Sequence, residues 1–542
     1  MNSVSIKRYY YLFVLILTLS SCQKNKPQPQ GLQPLPQDPL IQVYFNHTQT
    51  SEYLEPYRRK KRLGDDLEKR IVETISEAKS SVDVAVQEFR LPKVAQILAD
   101  KQKAGVKVRV IVENTYNRSW SGFSTQEVAK FKPRERGKYK EYLDFVDLNK
   151  DKKLSDDEIK QRDALIILNN AKVPKLDDTF DGSRGSDLMH HKFVIVDNRF
   201  VIVTSANFTT SDIHGDFNNP KTTGNANNLL KIDSPEVATV FTEEFNLMWG
   251  NGLQKNQNQK FGIKKPIRLP KTIKLGDSKI TIHFSPTSPT QPWINSSNGL
   301  INQTLETATK SVDMALFVFS EQRFANVLNT RHQENVKIRA ILEKSFAYRP
   351  YSEGLDMMGL AISDKCKYEV DNKPWQNPIT TVAVPALPKG DLLHHKFGVI
   401  DNQTLITGSH NWSEAANVGN DETVVVLENP IIAAHYTREF ERLYKKSQPG
   451  LPQKHQQKIA AQQKECSIIK SPSTIENKQL VKVNLNTATI AEIETLPGVG
   501  KKMAERIIIA RQQKRFTSLR DLERVKGISL NKLIKLQEYV TL

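Results

Sequence analysis

The chain has 542 residues, with 78 Lys and Arg against 60 Asp and Glu, a formal net charge of +18, and three cysteines. That length excludes a single small module and leaves room for two sizeable cores with smaller units attached. The charge points to a polyanionic partner but excludes neither DNA nor an anionic membrane surface, since both attract a basic protein.

At the N-terminus Lys7 and Arg8 precede an apolar run from Tyr9 to Leu19. The run is short for a membrane span, and residues 1–21 read as a signal peptide. Leu19-Ser20-Ser21-Cys22 is similar to the cleavage box of bacterial lipoproteins. That resemblance implies that Cys22 becomes a lipidated first residue. It also implies a location in the bacterial cell envelope, lipid-anchored on the periplasmic or outer-membrane side. An uncleaved anchor or an ordinary secretion signal is the alternative. The Gln/Pro-rich residues 22–39 then form a semi-extended tether.

From residue 40 amphipathic helical patterns alternate with apolar strands, such as Asp66 to Lys79 followed by Val82 to Val86, which is the pattern of an α/β sandwich. An insertion at about 139–166 carries the segment Asp147 to Glu158. Asp147, Asn149, Asp151, Ser155 and Glu158 stand at positions 1, 3, 5, 9 and 12 of that loop, with Lys153 at position 7 offering its backbone carbonyl. The spacing resembles an EF-hand calcium loop, although Lys152 takes the place of the usual glycine at position 6. The loop is read as a structural calcium site, or else as a charged surface loop.

His190 to Asp197 reads His-x-Lys-x4-Asp, and so does His394 to Asp401. Each is followed at the same distance by a small-residue turn that ends in asparagine, Asn207 and Asn411. The runs Phe193–Val196 and Phe397–Ile400 read as buried strands. Alternation along a strand puts His190 and Lys192 on one face, and likewise His394 and Lys396. An imidazole beside a fixed ammonium suits a phosphate: the ring can attack phosphorus or transfer a proton, while lysine and asparagine hold the non-bridging oxygens.

The duplication extends further. SSVDVAVQEF from Ser80 matches KSVDMALFVF from Lys310, and VKVRVIVE from Val106 matches VKIRAILE from Val336, both pairs 230 positions apart. The motif histidines are 204 apart, so the first half has a net insertion of 26 residues between Glu113 and His190.

On these motifs, residues 40–446 resemble the phospholipase D superfamily of phosphodiesterases. The resemblance implies two fused α/β/α sandwich halves, residues 40–262 and 263–446, with pseudo-twofold symmetry and both motifs in one cleft of a single chain. A monomer suffices for such a site, and no cofactor is required for its catalysis. It further implies a covalent phosphohistidine intermediate. The candidate catalytic residues are His190, Lys192, Asp197, Asn207 and Asn227 in the first half, and His394, Lys396, Asp401, Asn411 and Glu422 in the second. Asp197 and Asp401 are taken as mainly structural. Glu422, after the second motif, is expected to bond His394, and Asn227, after the first, to bond His190. A carboxylate keeps an imidazole protonated more than an amide does. On that basis His394 is assigned as general acid/base and His190 as nucleophile.

Cys366 and Cys466 can form one disulfide, or stand as inert thiols. Residues 447–478 read as a Lys/Gln-rich linker. Residues 479–542 resemble the small all-α helix-hairpin-helix module of competence-type DNA receptors, with hairpins at Leu496–Gly500 and Val525–Ser529. Gly498 and Gly500 let backbone N–H groups at a helix start approach a phosphate, and Lys501 and Lys502 follow at once. Lys526 and Gly527 occupy the second hairpin. Twelve Lys and Arg against six Asp and Glu in this segment imply DNA binding without base readout.

Together these features are read as an envelope-anchored phosphodiesterase that hydrolyses DNA. The alternatives are a phospholipase D acting on membrane phospholipids and a non-catalytic DNA receptor.

Overall fold

The computed structural model describes residues 32–183, 187–254, 258–364, 366–369, 371–468, 482–496, 499–525, 528, 533, 536 and 539–542. The expected signal peptide, Cys22, Gly498, Lys526 and Gly527 lie outside the described residues. Among the described residues no helix is long and apolar enough to cross a membrane.

Two sheets carry the two halves. In the first, the strand Ser81–Val86 runs parallel to Lys107–Val112 and antiparallel to Lys192–Val196, with Val84 opposite Val194. Phe200–Thr204, Asn228–Asp233 and Ile41–Phe45 continue the sheet on one side and Lys175–Asp177 closes the other. The second sheet repeats the plan: Ser311–Leu316 is parallel to Lys337–Leu342 and antiparallel to Lys396–Ile400, with Met314 opposite Gly398. Gly398 stands where the first half has Val194. A Cβ there would come within 2.9 Å of the Trp412 ring, so the missing side chain makes room for that larger aromatic.

Each sheet packs one face on its own outer helices and the other on a shared core. In the first half the outer helices include Leu67–Ser76, capped by the Asp66 side chain, and Pro92–Lys103. The shared core joins both sheets through Pro235–Trp249 and Pro430–Tyr444, whose Phe241, Phe245, Tyr436 and Phe440 pack with Phe193, Phe284 and Phe397. Burying these aromatics fixes the two halves face to face.

Main-chain pairing also crosses between the halves, and this decides the site. Leu188 and Met189 of the first half lie parallel to Asn420 and Asp421 of the second, and His190 N–H donates to Asp421 O at 3.0 Å. Symmetrically, Ala226 bridges Leu393 and His394 N–H donates to Ala226 O at 3.1 Å.

Both expected connecting segments are partly docked. The last tether residues are held by Gln37, paired with the Val43 backbone, and by buried Asp38, which accepts from Asn429 Nδ2 at 2.9 Å. The linker begins with Ser447–Pro449, paired to Val382–Pro385, and continues as the helix Gln453–Ile468. That helix places Ile459 against Leu355 and Ile362 and is joined to the second half by a Cys366–Cys466 disulfide. Hydrogen bonds at the tether, and apolar burial with the disulfide at the linker, carry the folded body beyond the bounds that composition suggested.

The C-terminal unit has its own core of Leu485, Ile493, Val499, Ile507, Phe516 and Leu522, closed by pairing of Val483–Asn484 with Val540–Thr541.

Candidate active site

The strands Lys192–Val196 and Lys396–Ile400 place their preceding histidines at one end, where the crossed pairing brings the two halves together. His190 donates from Nδ1 to Glu422 Oε2 at 2.7 Å, and His394 donates from Nδ1 to Asn227 Oδ1 at 3.0 Å. This reverses the expected pairing of His394 with Glu422 and His190 with Asn227. The reason is topological: each motif lies against the other half's strand, so each histidine meets the residue following the other motif.

The two partners are held alike. Ser409 Oγ donates to Glu422 Oε2 at 2.7 Å, and Ser205 Oγ donates to Asn227 Oδ1 at 2.8 Å. With Nδ1 occupied in this way, Nε2 of each ring is left for chemistry.

Lys192 Nζ donates to His190 O at 2.9 Å and to Gln87 Oε1 at 3.3 Å, while Lys396 Nζ donates to His394 O at 2.8 Å. Where the first half has Gln87 the second has Phe317, whose ring lies 4.9 Å from Lys396 Nζ and 4.9 Å from the His394 ring. Both lysines are 1% exposed. Burial lowers Lys192 to about 8, and burial with the neighbouring Lys192 charge lowers Lys396 to about 7. Burial and the two ammonium groups together push His190 and His394 well below the usual imidazole range, so both rings are neutral in the free site.

Sequence reasoning missed Asp212. It is buried, and its Oδ1 lies 3.8 Å from His394 Nδ1. It accepts from Asn225 Nδ2 at 2.5 Å and from the Asn207 backbone N–H at 2.7 Å. Asp212 follows Asn207 by five positions in the short helix Thr210–Ile213, whereas Ala416 follows Asn411 by five in Glu414–Val418. One half therefore places its carboxylate at Asp212 with an amide at Asn227, and the other has alanine at 416 and a carboxylate at Glu422. Setting the two post-motif segments side by side would have exposed this exchange. Two buried carboxylates thus face two buried lysines.

Asn207 and Asn411 each have a buried side-chain oxygen without a partner. Turned end for end, either amide offers N–H to a phosphate oxygen at that place.

Asp197 and Asp401 stand at the far ends of the motif strands. Asp197 accepts from the backbone N–H groups of Lys79, Ser80 and Ser81, and Asp401 from those of Thr309, Lys310 and Ser311. They fix the turn into the neighbouring strand and do not reach the reacting end. The histidines that follow the motif histidines point to the opposite strand face, where His191 meets Thr423 and Glu244, and His395 meets Asn228 and Glu439.

The Asp147 loop joins the helices Pro133–Val146 and Asp156–Arg162, and Lys152 takes the positive φ of 66° that glycine would supply easily. Both Glu158 oxygens accept from backbone N–H groups, those of Leu148, Asn149 and Ser155. Among the described residues no three His, Cys, Asp or Glu side chains gather as a metal site.

In the C-terminal unit Gly500 caps the helix Lys501–Gln513, and the Met503 N–H donates to Gly500 O at 2.8 Å. Exposed Lys501 and Lys502 lie in its first turn.

The family model described as cardiolipin synthase, PLD-like domain, matches residues 71–249 and 301–444, and that of the helix-hairpin-helix motif matches residues 478–541. A mitochondrial cardiolipin hydrolase of Xenopus laevis is 27% identical over 143 residues, 26% of this chain and 59% of that protein. A phospholipase D of Rickettsia conorii is 24% identical over 166 residues, 31% of this chain and 70% of that protein. Among solved structures, a phosphatidylserine synthase of Haemophilus influenzae aligns with a TM-score of 0.46 at 11% identity, over 80% of this chain and 96% of that one.

Proposed function

The chain belongs to the family described as cardiolipin synthase, PLD-like domain, and from that premise we propose that it is a phosphodiesterase of the bacterial cell envelope that hydrolyses DNA through a phosphohistidine. The observation that carries the reading is the pair of buried His–Lys sets, one from each half, on a chain that also bears a helix-hairpin-helix motif.

His190 is the nucleophile. Its expected pairing with Asn227, from which the sequence reading assigned this role, does not form, and the role is proposed here on a different ground. Glu422 holds the Nδ1 proton, which keeps the Nε2 lone pair free. It also stabilises the positive charge that the ring acquires on attack. Nε2 of His190 bonds to phosphorus as the P–O bond to the leaving strand breaks, with Lys192 and Lys396 on the non-bridging oxygens. Burial and then the Lys396 and Lys192 ammonium charges depress His394 in the free site; the bound phosphodiester offsets those charges, so this ring can hold a proton and give it to the leaving oxygen. Neutral His394 then takes a proton from water, which attacks phosphorus and releases His190.

Relatives named as cardiolipin hydrolases favour a second reading, a phospholipid diester in the same site. Plasmid, single-stranded DNA and cardiolipin vesicles, each incubated with the protein in EDTA beside His190→Ala and His394→Ala, separate the readings. Cleavage of DNA by the wild type alone supports the proposal; cleavage confined to cardiolipin overturns it.

A further inference from the structure

The first half carries a basic and aromatic surface with no counterpart among the duplicated segments. Between Lys130 and Lys140 there are six Lys and Arg and a single acid, Glu135, a net +5 in eleven residues. Lys130, Lys132 and Arg134 are exposed and have no carboxylate partner among the described residues. Beside them Trp120, Phe123, Phe131 and Tyr139 form a half-exposed cluster, with ring centroids 5.2 Å apart for Phe123–Phe131 and 5.9 Å for Trp120–Phe131. Arg118 lies over Phe123 at 3.9 Å.

One end of this surface meets the chain segment that reaches Lys192. Lys138 Nζ lies 3.5 Å from Glu88 Oε2, and the preceding residue, Gln87, accepts from catalytic Lys192. From the same helix Glu141 accepts from Ser211 Oγ at 3.1 Å, next to Asp212. The basic helix is therefore seated on the two segments that flank Lys192 and Asn207.

We propose that residues 118–140 bind single-stranded nucleic acid on one side of the scissile phosphate. The unpaired cations take backbone phosphates and the aromatic faces take unstacked bases. A strand with free base faces matches this combination, whereas a duplex keeps its base faces stacked. The aromatics are half-buried and pack edge to face on one another, which suits stacking better than insertion into a lipid surface. The proposal rests on the DNA reading above and adds strand preference to it.

The test uses the full chain and its Lys130→Gln/Lys132→Gln/Arg134→Gln variant. Cleavage is followed on bis(p-nitrophenyl) phosphate and on a 30-nucleotide single strand, and binding by anisotropy of the same strand and of cardiolipin vesicles across salt concentrations. The expected result is an unchanged rate on the small diester, a loss on the order of tenfold in kcat/KM on the single strand, and a salt slope shallower by about 2, from three released phosphate contacts. Equal single-strand cleavage and an unchanged salt slope overturn the proposal, as does a loss confined to vesicles. Loss of single-strand affinity in a protein that cleaves no DNA would remove the nuclease reading and leave this surface standing.

Discussion

Replacing Glu422 by glutamine keeps the shape of the side chain that holds His190 and removes its charge. Glu422 is fully buried, with His190 Nδ1 and Ser409 Oγ both at 2.7 Å and Asn420 Nδ2 at 3.2 Å. A buried hydrogen bond to a charged group contributes about 1.5–3 kcal/mol and a neutral one about 0.5–1.5 kcal/mol, so the exchange removes about 1–2 kcal/mol. At about 1.4 kcal/mol per tenfold, attack on phosphorus slows by roughly 5–30-fold. If the new amide turns its NH2 toward Nδ1, the proton moves to Nε2 and the loss grows. Single-turnover rapid quench with a labelled diester reads formation and breakdown of the phosphoenzyme separately. Because the crossed pairing links Glu422 to His190, formation slows and breakdown does not. A formation rate within twofold of wild type, or a lesion confined to breakdown, would refute the assignment.

The two lysines give a pH dependence. Both are lowered, Lys396 to about 7 and Lys192 to about 8, so each loses its charge and its hold on phosphate as pH rises through those values. The kcat/KM of the free enzyme should fall between pH 6 and 9, and a flat profile there would contradict the burial argument. Asp212→Asn removes a carboxylate that raises both lysines, so the alkaline edge should move to lower pH, with kcat reduced roughly 3–10-fold through His394; an edge that stays in place would place Asp212 outside the electrostatics of the site. Calcium at the Asp147 loop remains a proposal. The ion would have to displace three backbone N–H groups from Glu158, which places its affinity at the weak end for such loops, about 0.1–1 mM. Isothermal titration of the wild type against Glu158→Gln checks this, and equal heats from the two proteins would exclude the loop.

The pairing of each motif histidine with its lysine was legible without coordinates because their relation is local. A strand alternates its faces, so His-x-Lys fixes histidine and lysine together, and a second copy 204 residues later fixes two sets. The aspartates ending each motif were legible as structural for the same reason. The hairpin module was legible because closely spaced glycines before a basic helix have few other uses. The partners of the histidines are another matter. Glu422 lies 28 residues after His394 yet bonds His190, because Leu188–Met189 pairs with Asn420–Asp421 across the halves. Asp212 comes within 3.8 Å of His394 only through the reciprocal crossing of Ala226 on Leu393. The Cys366–Cys466 bond and the docked linker helix likewise depend on chain segments about a hundred residues apart meeting on one surface. Local spacing determined that each motif histidine stands beside its lysine on one strand face; long-range main-chain pairing between the halves, which no local pattern encodes, decided which residues hold the histidines.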